Sequence, residues 1–258
     1  MGKNPIKLIV LEALAANIGG NFSPLGSPQN MYIFLKYNVH ILTFLSITAL
    51  FSVIGVYWLI RTALKFEKQT IIGVVENVKV EKMGQITLYF FLFVLTVIFL
   101  IFHINLIWIT IVIVFVTLER SRESFKHVDY ALLIIFVGFF ITFDNLSRMS
   151  IFLMLTHLGK NPFMVYIMAA FLSQVMSNVP STIFLSKFTL LYKPLLLGAN
   201  VGGAGTLIAS LANLIAYRLY RNSYKKEKFF PYFNKMNWTL FGILFCVNGA
   251  LLIVVVIR

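Results

Sequence analysis

Two segments of this sequence carry the same succession of asparagine, glycine and hydroxyl residues. Residues 16–30 and 199–213 align without gaps at an offset of 183 positions. Asparagine and hydroxyl side chains offer neutral oxygen ligands, and paired glycines permit the dihedral angles at which a helix breaks. The pattern indicates a binding site for a small solute or ion. The paired residues are Asn17 with Asn200, Gly19 with Gly202, Gly20 with Gly203, Ser23 with Thr206, Ser27 with Ser210, and Asn30 with Asn213.

A third group of polar residues, which includes Ser177 and Asn178 with Val179 after them, lies in the middle of the otherwise apolar segment 160–187. The apolar arms on either side are each too short to cross a bilayer. The polar middle would leave backbone groups unsatisfied in lipid unless protein or a water-filled cavity surrounded it. The segment is therefore predicted to form a re-entrant hairpin, and these three residues join the candidate site.

The composition is that of a membrane protein. Of the 258 residues, 59% are hydrophobic and only 12% are charged, whereas a soluble domain carries about 25% charged residues. The net charge of +13 is therefore attributed to loops on an anionic membrane, and no nucleic-acid partner is expected. One cysteine and four histidines exclude a disulfide framework and a Cys/His metal cluster. No catalytic arrangement stands out, so neither an enzyme nor a cofactor is expected, and Na⁺ is the one metal ion considered.

The charge distribution predicts how the chain crosses the bilayer. A crossing needs about 20 apolar residues, and residues 86–118 are long enough to form two short helices that turn near residues 103–105. If residues 86–118 cross the bilayer twice, sixteen of the 22 Lys and Arg residues fall on one side of the membrane. That side is then predicted to be cytoplasmic, because Lys and Arg are enriched there. The prediction is a multi-pass protein of the cytoplasmic membrane with both hairpin ends and the C-terminus outside.

The same crossing order carries the first polar segment outward and the second inward. Secondary transporters with such inverted repeats bind substrate and coupling ions near the bilayer midplane, on broken helices. The predicted fold is an all-α, inverted-repeat secondary transporter with broken helices and a re-entrant hairpin. The alternative is that the small residues only allow close helix packing.

The predicted organisation follows from this fold. A partner for the hairpin motif would fall before Met1 at the same offset, so the first repeat is expected to be incomplete, with an N-terminal half encoded upstream as a possible partner. The predicted parts are the broken helix of the first repeat at 1–36, a span and cytoplasmic linker at 37–85, and the second repeat at 86–258, which contains the hairpin 160–187, the broken helix 190–220 and the last span 237–257.

Two acidic residues, Glu12 and Asp144, lie in apolar segments and are candidates for carrying a coupling proton. Asp144 has Arg148 one helical turn later, so a structural ion pair is the alternative. Glu12 could instead cap the start of a helix.

The motifs Asn17-Ile-Gly-Gly, Ser177-Asn-Val-Pro and Asn200-Val-Gly-Gly resemble those of the citrate-transporter-like permeases. These belong to the ion transporter superfamily, together with the arsenical pump membrane protein and the divalent-anion/sodium symporters. The resemblance implies a homodimer in the lipid bilayer that transports a small anion, citrate or a dicarboxylate, coupled to Na⁺ or H⁺. Val179 replaces the threonine of the Ser-Asn-Thr signature of the dicarboxylate branch. The alternatives are an arsenite or antimonite efflux permease, and a truncated or split subunit that does not transport by itself.

Overall fold

The computed structural model describes residues 6–65, 83–223 and 229–257, which form α-helices and two short 3-10 helices but no strand. The helices are α1 Ile6–Gly20, α2 Pro28–Lys36, α3 Ile41–Ala63, α4 Met83–Ile101, α5 Leu106–Arg120, α6 Tyr130–Ser147, α7 Leu153–Leu158, α8 Pro162–Met176, α9 Asn178–Leu185, α10 Tyr192–Gly202, α11 Leu211–Ser223 and α12 Phe229–Ile257. Four of the described helices, α3, α4, α6 and most of α12, are long and apolar enough to cross a membrane. The predicted all-α membrane fold is confirmed.

The chain divides into two compact units. The smaller unit, Phe66–Ile134, contains α4 and α5, which pack against each other. The side chain of Asn105 accepts a hydrogen bond of 3.0 Å from the backbone N–H of Ile107 and so caps the start of α5. The prediction that residues 86–118 form two helices with a turn near 103–105 is therefore confirmed.

The larger unit comprises Met1–Lys65 and Ile135–Arg258, and close packing between α8 and α10 lies at its centre. A side chain at Gly198 would lie 2.5 Å from the carbonyl oxygen of Tyr166, and one at Gly202 would overlap the side chain of Ser173. Both glycines are thus needed for this helix contact. The missing side chain of Gly202 lets the hairpin approach α10, which is the close packing that small residues allow.

The last helix begins earlier than the sequence suggests. The last span was expected at 237–257, but α12 starts at Phe229. The rings of Phe229 and Phe233 stack with centroids 5.3 Å apart, and Phe229 also lies 4.9 Å from the ring of Tyr220 in α11. This aromatic packing makes the additional turns of α12 favourable.

Candidate functional site

The two predicted broken helices are interrupted in the structure at corresponding positions. Helix α1 ends at Gly20 and α2 begins at Pro28, while α10 ends at Gly202 and α11 begins at Leu211. The offset of 183 residues pairs Pro28 with Leu211, so the second halves start at equivalent residues. The non-helical residues 21–27 and 203–210 are called the first break and the second break below.

One asparagine closes each break with the same pair of hydrogen bonds. Asn30 Nδ2 donates to the carbonyl oxygens of Gly20 and Ser23, each at 3.3 Å. Asn213 Nδ2 donates to the carbonyl oxygens at the two corresponding positions, Gly203 at 3.2 Å and Thr206 at 3.0 Å. The bonds to Gly20 and Gly203 satisfy carbonyls that a helix leaves free at its C-terminus, and those to Ser23 and Thr206 tie the loop of each break to the helix that follows it. The sequence repeat thus has a local structural counterpart, while its opposite orientation across the bilayer stays a prediction.

Further hydrogen bonds join the two copies to each other. Asn17 Nδ2 donates to the carbonyl oxygen of Gly203 at 3.3 Å and to Asn213 Oδ1 at 3.1 Å. At the offset of 183, the bond equivalent to that between Asn17 and Asn213 would run from Asn200 Nδ2 to Asn30 Oδ1, and it is not formed. In the part of the chain that the structure describes, both side-chain amide atoms of Asn200 and Oδ1 of Asn30 are buried without a partner. Buried polar atoms are normally paired, so these are candidate ligands for an ion or water.

The segment 160–187 folds as a helical hairpin. Helices α8 and α9 meet at Ser177, whose φ of 74° lies in the left-handed region, and Thr189 Oγ1 donates to the carbonyl oxygen of Gly159 at 2.6 Å across the open end. At the tip, the backbone N–H of Asn178 donates to the carbonyl oxygen of Ala209 at 3.0 Å. The hairpin tip therefore rests on the second break. Its position relative to the membrane stays a prediction.

A cavity of about 220 Å³ lies where the two breaks and the hairpin tip meet. Four predicted site residues line it, namely Asn17, Gly20, Asn178 and Val179. The other lining residues include four polar ones, Asn21, Ser27, Gln29 and Ser210, of which sequence analysis had only paired Ser27 with Ser210 in the repeat. None of the described residues that line the cavity carries a charge. A bound solute would therefore be held by amide, hydroxyl and backbone groups.

Other predicted site residues lie beside the cavity without lining it. A side chain at Gly203 would lie 3.2 Å from Asn178 Nδ2 and 3.8 Å from Asn17 Oδ1, which places both amides beside this glycine. Ser177 Oγ donates to the carbonyl oxygen of Ala209 at 3.4 Å. In contrast, Gly19 is exposed, and no heavy atom lies within 4 Å of the position of its Cβ.

The two candidate acids do not line the cavity. The expected pair of Asp144 with Arg148 is present at 2.7 Å, and Lys187 adds an unpredicted second ion pair at 2.6 Å. Asp144 thus links α6 to the C-terminal end of the hairpin. Glu12 is exposed on α1 and forms no hydrogen bond or ion pair with any described residue.

Gln174 is a further residue of the site that sequence analysis missed. Its Nε2 donates to the carbonyl oxygens of Gly202 and Ala204 at 2.9 and 3.0 Å, and its Oε1 accepts from the backbone N–H of Thr206 at 2.9 Å. The amide of Gln174 therefore shapes the second break from the hairpin side. The only sequence signal is that this glutamine belongs to the polar middle of the hairpin segment.

Comparison with known proteins places these features in a family. The family model for citrate transporters matches residues 1–191. The chain is 34% identical to the uncharacterized transporter MJ0456 of Methanocaldococcus jannaschii over 224 residues, which cover 86% of this chain and 61% of that protein. It is 30% identical to the inner membrane protein YbiR of Escherichia coli over 223 residues, or 83% of this chain and 58% of that protein. The chain thus spans about three fifths of the length of these relatives. No solved structure matches it.

Proposed function

The chain belongs to the citrate transporter family of membrane transporters, and we propose that it carries the solute site of an ion-coupled secondary transporter for a small anion, citrate or a similar carboxylate. The observation that supports this most is the uncharged cavity bounded by both breaks and the hairpin tip. Inverted-repeat transporters hold their solutes at interrupted helices of this kind.

The size of the cavity favours a small solute. Its volume of about 220 Å³ is below the roughly 300–1,000 Å³ of pockets for drug-sized ligands. It has room for a compact carboxylate. Asn17 and Asn178 line it from two different elements. The amide of Asn17 already donates to Gly203 and Asn213, so the amide of Asn178 is the one that can solvate carboxylate oxygens in place of water.

The absence of charge among the described lining residues favours coupling to a cation. A carboxylate that leaves water without an opposite charge is costly, and a co-bound Na⁺ or H⁺ would supply that charge. Oxygen atoms suited to Na⁺ lie nearby, because Asn30 Oδ1 and Asn200 Oδ1 are buried and unpartnered among the described residues. Neutral carbonyl oxygens at helix breaks are the ligands that such transporters offer to Na⁺.

Transport measurements test this function. Uptake of labelled citrate into proteoliposomes is expected to rise with an imposed sodium or proton gradient. It should fall at least about tenfold in Asn178→Ala and Asn200→Ala, since each removes a polar group from the site. Asn200→Ala tests the site more specifically, because the side-chain amide of Asn200 has no partner among the described residues. Removing that amide therefore breaks no hydrogen bond with them.

Asn145→Ala is the matched control. Asn145 is exposed on α6, and its amide bonds only to the carbonyl oxygen of Ile141, one turn earlier. This variant should transport like the wild type. Uptake that does not respond to either gradient would remove the proposal of ion coupling.

Arsenite or antimonite efflux is the second candidate function. The uncharged cavity wall suits a neutral hydroxylated metalloid as well as a neutralised carboxylate. A pump-deficient host that becomes resistant to arsenite on expressing the protein, with no citrate uptake by proteoliposomes, would support this function instead.

The proposed setting is a homodimer in the cytoplasmic membrane with the C-terminus outside. Chemical cross-linking in membranes and a C-terminal reporter that is active only outside the cytoplasm test these two points. The alternative is a split subunit, and it predicts that uptake requires coexpression with a second chain that carries its own Ser-Asn hairpin.

Replacing Asp144 by asparagine is expected to leave uptake and its dependence on pH within about twofold of the wild type. Asp144 does not line the cavity, and its carboxylate is already engaged by Arg148 and Lys187. The measurement is proton-driven uptake at several pH values, with Glu123→Gln as a control at another exposed ion pair. Loss of the proton-driven component, with normal protein levels in the membrane, would instead identify Asp144 as a coupling acid.

A further inference from the structure

Helix α2 begins at the cavity with its N-terminus uncapped. Ser27 is the N-cap residue, yet its side chain makes no capping hydrogen bond, and its Oγ is buried without a partner among the described residues. Pro28 follows as the first helical residue and has no N–H. The backbone N–H groups of Gln29 and Asn30 belong to the first turn, where a helix offers no acceptor of its own. The start of α2 therefore presents free donors next to the cavity.

The corresponding end of the second copy is closed. Ser210, the equivalent of Ser27, accepts a hydrogen bond of 3.2 Å from the backbone N–H of Asn213. This is the ordinary capping bond that satisfies an N-terminal donor. The two copies of the repeat thus differ, since only in the second does the serine side chain accept a hydrogen bond from an N–H group at the start of the helix.

Gln29 adds a side chain that the second copy lacks. It is only 2% exposed and lines the cavity, yet its amide forms no hydrogen bond with any described residue. The equivalent residue is Ala212, which lines the same cavity without a polar group. The amide of Gln29 therefore faces the cavity without a protein partner among the described residues, where it can bind a ligand.

We propose that Ser27, Gln29 and the first turn of α2 bind one carboxylate group of the solute. This proposal rests on the proposed function and adds to it the place and orientation of the bound anion. The N–H groups and dipole of the helix favour negative charge, while Gln29 Nε2 and Ser27 Oγ each donate a further hydrogen bond. Because Ala212 and the capped Ser210 offer no equivalent, the carboxylate lies on the side of the first copy.

Uptake kinetics give the first test. Gln29→Ala should raise the KM for labelled citrate about tenfold and change the maximal rate less than about twofold, because it removes one hydrogen bond to a charged group. Gln29→Glu should raise the KM further, since it places a carboxylate of similar size against the solute. Met31→Ala is the control, because Met31 lies on the same helix but does not line the cavity. An unchanged KM in Gln29→Ala and Gln29→Glu would overturn the proposal.

Protection of a cysteine gives a second test that does not depend on transport. Cys246 is the one cysteine of the sequence, so Ser27→Cys in a Cys246→Ala background places a single, nearly isosteric thiol at the cavity. Saturating citrate should slow its alkylation by a small water-soluble maleimide at least about fivefold, as a bound ligand covers the thiol. Met31→Cys should react at the same rate with and without citrate.

The outcomes separate this proposal from the transport function. Citrate uptake by the wild type without protection of Ser27→Cys, or a thiol that never reacts, overturns the carboxylate site and leaves transport standing. Protection without gradient-driven uptake supports the site and removes the transport function. Neither uptake nor protection overturns both.

Discussion

Replacing Asn213 by alanine is expected to lower the free energy of unfolding by about 3 kcal/mol, at roughly 1 kcal/mol for each hydrogen bond lost. Asn213 is fully buried, donates to the carbonyl oxygens of Gly203 and Thr206, and accepts from Asn17. Alanine removes these three bonds, while Gly203 and Thr206 keep the bonds that their carbonyl oxygens accept from Asn17 Nδ2 and from the backbone N–H of Ala209. It also removes one of the two bonds that Asn17 of α1 makes to the second copy. Citrate uptake should be lost together with this stability.

Asn248→Ala is the matched control for that prediction. Asn248 is also fully buried, but its amide bonds only to the carbonyl oxygen of Leu244 in its own helix, at 2.7 Å. The two variants delete the same volume, so the difference between their melting temperatures in detergent isolates the network around Asn213. The control substitution should lower the free energy of unfolding by about 1 kcal/mol or less. Equal melting temperatures would show that this network contributes nothing to stability.

Replacing Gly20 by alanine is expected to destabilise the first break by about 2 kcal/mol and to abolish binding in the cavity. A Cβ at Gly20 would lie 2.7 Å from the carbonyl oxygen of Gly26, which is a backbone atom and cannot rotate away. The first break must then open, and Gly20 and Gly26 both line the cavity. The melting temperature and the protection of Ser27→Cys by citrate measure the two effects.

The neighbouring glycine provides the control. No heavy atom lies within 4 Å of a Cβ at Gly19, and alanine is the better helix former by about 1 kcal/mol. Gly19→Ala should therefore keep uptake and leave the melting temperature unchanged or slightly higher. If both variants lose stability equally, the contact between Gly20 and Gly26 is not the cause.

Features that depend on neighbouring residues could be predicted from the sequence. The helix pair within 86–118 follows from its length and from Asn105, which caps its own helix two residues later. The pair of Asp144 with Arg148 follows from a spacing of four residues on one helix. The similar helix ends at Gly20 and Gly202 follow from paired glycines, whose conformational freedom is a local property.

Features that depend on distant residues required the tertiary structure. Lys187 joins Asp144 from 43 positions away, and Gln174 reaches across 32 positions to Thr206. Gly202 and Gly203 look alike in sequence, yet one packs against Ser173 of the hairpin and the other lies beside the amides of Asn17 and Asn178.

The sequence alone thus determined the class of the protein, an all-α membrane transporter of this family, and where its helices are interrupted, because hydropathy and glycine pairs act over a few residues. Only the tertiary structure decided which polar atoms are satisfied and which are left to face a ligand. Ser27 and Ser210 are the same residue type at the same repeat position, but the side chain of Ser210 caps α11 whereas that of Ser27 makes no capping hydrogen bond. That difference arises from packing between elements distant in the chain, where a single unpaired buried amide such as that of Asn200 costs more than any local propensity.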